Sequence, residues 1–248
     1  MVFTKRSITL KISITGIFTA LVCAATMVFS IYVPATRGYF NIGETMVYTT
    51  ALLFGPRIGA FAGGVGSMLA DMFLGYWVYA PATLVVKAFE GAIVGFLSQK
   101  SFKPESRMLW RGFTFSTGII VAIIVGYIGT AYYAGYAETS IGFPITGYAV
   151  FPFSIPHAFW LTLAVVVALL ISSLGFLYDP RLGWLVVSVL AGGCTMVLGY
   201  FIYEWFLFGP AALVEIPVNV GQLIVGLIVS IPLAKTVLRI MPHLKKEF

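Results

Sequence analysis

Apolar residues run along this chain in long stretches broken by short clusters of Gly, Pro or charge, and the stretches recur at about the length of a membrane crossing. The pattern predicts helices over about 10–33, 43–55, 58–75, 81–99, 112–134, 157–177, 183–208 and 211–240. The fold class expected is an all-α polytopic membrane protein of about eight spans, forming a single transmembrane domain over residues 1–248. The second stretch is short for the ~20 residues that a full crossing needs. The run from Ile12 to Val33 exceeds the ~7–15 apolar residues of a cleaved signal core, so it reads as a retained first helix.

Composition and charge sharpen that picture. Hydrophobic residues make up 60% of the chain and charged residues 10%, with a mean hydropathy of +0.99, which excludes an ordinary soluble domain. Cys23 and Cys194 both sit in apolar runs and read as packing residues rather than a disulfide. With the N-terminus inside, the inner side collects Lys5, Arg6, Lys11, Arg57, Lys100, Lys103, Arg107, Arg111, Arg181, Lys235, Arg239, Lys245 and Lys246, whereas the outer loops receive Arg37. Cytoplasmic loops gather Lys and Arg, so a multi-pass protein of the cell membrane with both termini cytoplasmic is expected. The net charge of +6 is then explained by topology and contact with anionic lipid, with no need of nucleic acid.

Given that orientation, the ionisable residues within the spans gather in the outer half. Glu44 and Tyr48 are expected at the outer start of the second helix, Asp71 near the outer end of the third, Lys87 and Glu90 on the fourth, and Glu204 where 183–208 ends. The stretch "ALVEIPVNVGQLIVG" places Glu215, Asn219 and Gln222 within an arc of about 60° on one face of the last helix. A charge at the bilayer centre costs about 2.5–3.5 kcal/mol on insertion scales, so such groups face a protein interior or a wet cavity. The candidate binding residues are therefore Glu44, Tyr48, Asp71, Lys87, Glu204, Glu215, Asn219 and Gln222. The outer-half carboxylates outnumber Arg37 and Lys87, which favours a neutral or cationic ligand. Near the other end of helix one, Gly16, Ala20 and Ala24 recur at spacing four, a stripe that lets backbones approach closely.

Three stretches resemble the substrate-binding S component of energy-coupling factor (ECF) vitamin transporters, in the group that includes riboflavin-type S components. "NIGETMVYTTALLFGPRIGAFAGGVGSMLADMFLGYWVYAPATLVVKAFEGAIVGFLS" is similar to the family's helices two to four, "VLGYFIYEWFLFGPAALVEIPVNVGQLIVG" to its last two, and "ALVCA" to the AxxxA motif of helix one. The resemblance implies six helices around a pocket near the outer face, with an outer loop as lid. It implies docking on a transmembrane coupling protein, the T component, driven by two ATPase subunits. Ala20 and Ala24, with Gly16 on the same stripe, match the coupling-protein contact, and Glu215, Asn219 and Gln222 match a region that lines the substrate site. The family's core then corresponds to about 10–99 and 183–240, with 112–177 as an added helix pair.

No GxxxxGK[ST] run is present, so ATP dependence belongs to a partner. An enzyme is not expected: Ser67 and His157 are the one nucleophile and base to pair, and neither sits in a catalytic context. There is no HExxH or Cys/His cluster, hence no expected metal site, and no cofactor is expected. The alternative to an S component is a stand-alone secondary transporter using Asp71, Lys87, Glu90 and Glu204 as an ion relay. No inverted repeat of the kind such transporters often carry is visible.

Overall fold

The computed structural model describes residues 2–100, 107–132, 134–143, 147–177 and 180–241. Among these, five helical stretches are long and apolar enough to cross a membrane: Ile8–Val28, Glu44–Leu74, Ala80–Gln99, Arg107–Ala131 and Gly183–Ile240. The chain packs as two compact units, one of residues 1–100 with 185–248 and the other of residues 101–184.

The first unit contains helix α1 (Val2–Val28), strands β1 (Ser30–Val33) and β2 (Gly38–Asn41), helix α2 (Glu44–Leu74), helix α3 (Ala80–Gln99), most of α6 (Pro180–Phe208), a 3-10 segment (Gly209–Val214) and helix α7 (Glu215–Ile240). Helix α2 breaks at Gly55, whose φ of 79° and ψ of −168° leave the helical region, and Pro56 follows. A positive φ is readily reached by glycine, and Pro starts a new helical turn well because its missing N–H needs no partner there. The two arms fold back on each other: Gly59 lies against Ala51, and Gly63 against Val47. Residues 44–54 rise only ~16 Å, about half of a ~30 Å hydrocarbon core. The expected span over 43–55 is therefore a half-depth arm, not a full crossing.

Close backbone approach holds the unit together. Gly66 meets the Thr19 carbonyl and Val22 of α1, Gly91 of α3 meets Gly59, and Gly95 meets Gly55 and Pro56. At the Gly55 end, Leu53, Phe54, Ile58 and Ala234 form an apolar cluster with Ile14, Phe18, Val237 and Leu238. At the other end, α6 and α7 run antiparallel through the 3-10 segment, with Gly193 against Leu223.

The second unit is a helical hairpin of α4 (Arg107–Tyr132) and α5 (His157–Leu177), joined by β3 (Gly135–Phe143) and β4 (Gly147–Ile155). Its helices are antiparallel: Gly118 lies against Ala168 and Ser172, Gly126 against Ala164, and Gly129 against Trp160. The loop expected between these helices is a β-hairpin pairing Gly135 with Ile155 and Phe143 with Gly147. Lys103, Lys245 and Lys246 of the expected inner side lie outside the described residues.

The glycine contacts predict a large asymmetry between two substitutions. A Cβ on Gly91 would overlap the Gly59 carbonyl, whereas one on Gly16 would meet nothing within 4 Å. Gly91→Val is expected to destabilise the protein by about 1–3 kcal/mol or more through overpacking. Gly16→Ala is expected to stay within about 0.5 kcal/mol of the parent. Thermal unfolding of both variants in the same detergent checks this, and equal melting temperatures would contradict the α2–α3 packing.

Candidate functional site

The β1–β2 hairpin pairs Ser30 with Asn41 through to Val33 with Gly38, and turns at Arg37, which takes a positive φ of 56°. Polar bonds fasten it to the helices beneath. The Thr36 hydroxyl donates to Glu215 Oε2 at 2.7 Å, and the Tyr39 hydroxyl to Asp71 Oδ1 at 2.6 Å. The Asn41 backbone N–H donates to Gln222 Oε1 at 3.2 Å, and the Tyr79 hydroxyl to the Thr36 carbonyl at 2.7 Å. Burial, reinforced by Asp71, holds the Tyr39 hydroxyl well above the usual tyrosine range. Burial, then Glu204 and Glu215, does the same to Tyr79. Both phenols therefore remain protonated donors at neutral pH.

Under the hairpin lies a cavity of about 30 Å³. That is room for a few waters and less than a ring-sized ligand fills. Gly38, Tyr39 and Asn41 form its roof; Thr26 of α1, Ser67 and Asp71 of α2, and Tyr79, Thr83 and Lys87 form part of its wall. Tyr200 and Glu204 of α6 and Glu215, Asn219 and Gln222 of α7 complete it. The α7 face is as the sequence predicts: all three residues are buried, and Gln222 Nε2 donates to Asn219 Oδ1 at 2.8 Å. Across the cavity the Tyr200 hydroxyl donates to Thr83 Oγ1 at 3.0 Å.

The floor is ionic. Lys87 Nζ is paired with Glu44 Oε1, and lies 3.1 Å from Glu90 Oε2 and 5.6 Å from the centre of the Tyr200 ring. The Tyr48 hydroxyl donates to Glu90 Oε1 at 2.7 Å. This cluster changes the depth assigned to two residues. Glu44 and Tyr48 are expected at the outer start of a helix, yet Glu44 is level with Lys87, ~10 Å along α3 from Ala80. Both stand behind the cavity and do not line it, whereas Asp71, Lys87, Glu204, Glu215, Asn219 and Gln222 do. Tyr39, Asn41, Tyr79, Thr83 and Tyr200 also line it and are missing from the residues predicted. Among the described residues no group of three or more His, Cys, Asp or Glu is placed to hold a metal ion.

The small-residue stripe has a separate place. Thr19, Val22 and Thr26 of α1 face the unit's interior, while Gly16, Ala20 and Ala24 are exposed. Together with Leu69 and the exposed rings of Phe61 and Phe73 they line an apolar groove between α1 and α2.

Comparison with known proteins gives the setting for this geometry. The model of the ECF-type riboflavin transporter S component family matches residues 6–174. The match includes most of the helix pair read from the sequence as an addition to the family pattern, and it ends within α5, before α6 and α7 begin, so the similarity noted in "VLGYFIYEWFLFGPAALVEIPVNVGQLIVG" lies beyond it. A protein of Pyrococcus woesei, described as an uncharacterized protein in gap 3′ region, is 45% identical over 111 residues, which are 45% of this chain and 71% of that protein. The thiamine precursor transporter HmpT of Lactococcus lactis subsp. cremoris (strain MG1363) is 27% identical over 119 residues, 47% of this chain and 66% of that protein. With well over half of its length matched, the chain belongs to the family of ECF-type riboflavin transporter S components.

Proposed function

We propose that this chain is the membrane-embedded substrate-binding subunit of an ECF-type importer. It receives a vitamin or related micronutrient from outside in the cavity beneath β1–β2 and passes it on through a transmembrane coupling protein powered by two ATPase subunits. The observation that carries this reading is the cavity walled by buried charged and amide side chains from α2, α3, α6 and α7 and roofed by a hairpin. Polar groups at membrane depth are costly, and they mark substrate or ion sites. A relative named as a transporter of a thiamine precursor supports a vitamin-type cargo.

Asp71, Lys87, Glu204, Glu215, Asn219 and Gln222 are assigned to substrate contact. Glu44 and Tyr48 act at one remove, Glu44 by fixing Lys87 and Tyr48 by fixing Glu90. Gly16, Ala20 and Ala24 are assigned to the coupling protein, because their outward groove leaves them unused by the chain's own packing.

Exposed Lys11, Arg57, Lys100, Lys235 and Arg239 adjoin the Gly55 end of the first unit, opposite the cavity. By the positive-inside rule that end is cytoplasmic and the hairpin faces out. In a variant lacking Cys23 and Cys194, Arg37→Cys is expected to react with an impermeant thiol reagent added to intact cells, and Lys100→Cys is not. Reversed labelling would invert the protein and remove the outward-facing cavity.

For the site itself, Asn219→Leu removes an amide from the α7 face. A lost hydrogen bond is worth about 0.5–1.5 kcal/mol, more if a ligand group is stranded, so affinity for the co-purifying ligand, identified by mass spectrometry, should fall several-fold to over a hundred-fold. A lowered melting temperature with unchanged affinity would make the amide purely structural.

For the partner surface, Ala20→Leu with Ala24→Leu is expected to abolish ATP-dependent uptake in proteoliposomes containing the coupling module, while ligand affinity stays within about twofold. Accumulation by the chain alone on an ion gradient would favour a secondary transporter instead.

A further inference from the structure

We infer that the cavity is built for an amine-bearing heterocycle that carries positive charge, with Asp71 and Glu204 recognising its nitrogens. The inference rests on the reading of the cavity as the substrate site and names the chemistry that site selects.

Its basis is an accounting of the carboxylate oxygens. Asp71 is 3% exposed; its Oδ1 accepts from Tyr39, while its Oδ2 is buried with no hydrogen-bond partner. Glu204 is 1% exposed, and its Oε2 is likewise buried without a partner. The two carboxylates reach the cavity from different helices, α2 and α6, and both line it. Glu215 differs, since its Oε2 is already taken by Thr36 of the hairpin. A buried polar atom left without a partner is costly; burial favours the neutral carboxyl while the site is empty, and a cationic donor draws out the ionised form, which can only accept. The missing complement is therefore a donor.

The charge balance points the same way. Lys87 is the cation among the described residues that line the cavity, and it is engaged by Glu44 and Glu90, neither of which lines it. Arg37, the basic residue of the hairpin turn, is exposed. Asp71, which lies in the field of Lys87 and beside Thr83, and Glu204, beside Tyr79, thus face the cavity with no ion pair of their own among the described residues. An anionic ligand would set like charge against them in a medium of low dielectric, whereas a protonated or quaternary nitrogen supplies the charge they lack. Tyr39 and Tyr200 add aromatic side chains to the wall.

The test uses the full chain in nanodiscs, washed free of ligand, and isothermal titration with three probes. Thiamine has a fixed positive charge and an exocyclic amine, riboflavin is neutral, and biotin carries a carboxylate. Thiamine is expected to bind about tenfold or more tighter than riboflavin and about a hundred-fold or more tighter than biotin. Asp71→Asn and Glu204→Gln keep side-chain shape, and each should weaken thiamine at least about tenfold and narrow its lead over riboflavin, with melting temperature near that of the parent. Riboflavin or biotin binding as tightly as thiamine would overturn the charge preference while leaving the cavity as the substrate site. Unchanged thiamine affinity in both variants would overturn the role of the two carboxylates. Binding of none of the three would count against both the preference and the site. The probe ranking does not depend on either variant folding.

Discussion

The arrangement around the cavity depends on one buried cation. Removing an ammonium from water costs several kcal/mol even after relaxation, and the cost is recovered only where opposite charges and hydrogen bonds surround it. Lys87 meets that demand with two carboxylates, Glu90 one turn along its own helix and Glu44 at the start of the short arm of α2. The pairing with Glu44 sets where that arm begins. Glu44 lies beside Lys87 at the start of the short arm, the Gly55–Pro56 break ends that arm, and β1–β2 roofs the cavity above it.

Glycine makes the pairing reachable. Between helices in lipid there is little hydrophobic driving force, so association relies on close packing and polar bonds. Gly63 brings α2 within about a van der Waals radius of the Lys87 backbone: a Cβ there would stand 2.9 Å from the Lys87 carbonyl. Gly59 and Gly91 do the same one turn further down, and Gly95 seats the Gly55–Pro56 turn. On the opposite side, Gly226 lets α7 pass against Glu44 and Tyr48. The glycines fix the spacing of the backbones, and that spacing fixes the distance over which the ionic side chains meet.

The helices were legible because their signal is long and redundant: each apolar run carries many residues, and the shared face of Glu215, Asn219 and Gln222 follows from helical period alone. The outward groove on Gly16, Ala20 and Ala24 was legible as a stripe, though its direction was not. Depth was harder. The sequence offers no measure of how far a helix start lies from the membrane surface, so Glu44 and Tyr48 read as rim residues, whereas Glu44 pairs with Lys87, forty-three positions away and two turns into α3. The hairpin was hidden for a related reason. "SIYVPATRGYFN" contains β-branched and aromatic residues on either side of a Pro-Ala-Thr-Arg-Gly turn, which is a strand signal, but aromatic residues at the membrane interface have an ordinary role that masks it. Tyr39, Asn41 and Tyr79 enter the site through that hairpin and its latch, and their roles are not visible without it.

Under the proposed function, the latch is what the cavity must loosen to exchange its contents. Four polar bonds, from Thr36, Tyr39, Asn41 and Tyr79, fasten the hairpin. At about 0.5–1.5 kcal/mol net each, they hold the roof by a few kcal/mol, little enough for thermal opening. The roof uses one oxygen of Asp71 and leaves the other to the cavity. Under that proposal a ligand and the closed hairpin share the Asp71 carboxylate without competing for it. The foot of the hairpin, at Gly43, rests against Thr26 of α1, two positions beyond outward-facing Ala24. One helix thus supports the roof on its inner face and carries the small-residue stripe on its outer face, so the two surfaces are joined through a single rigid element.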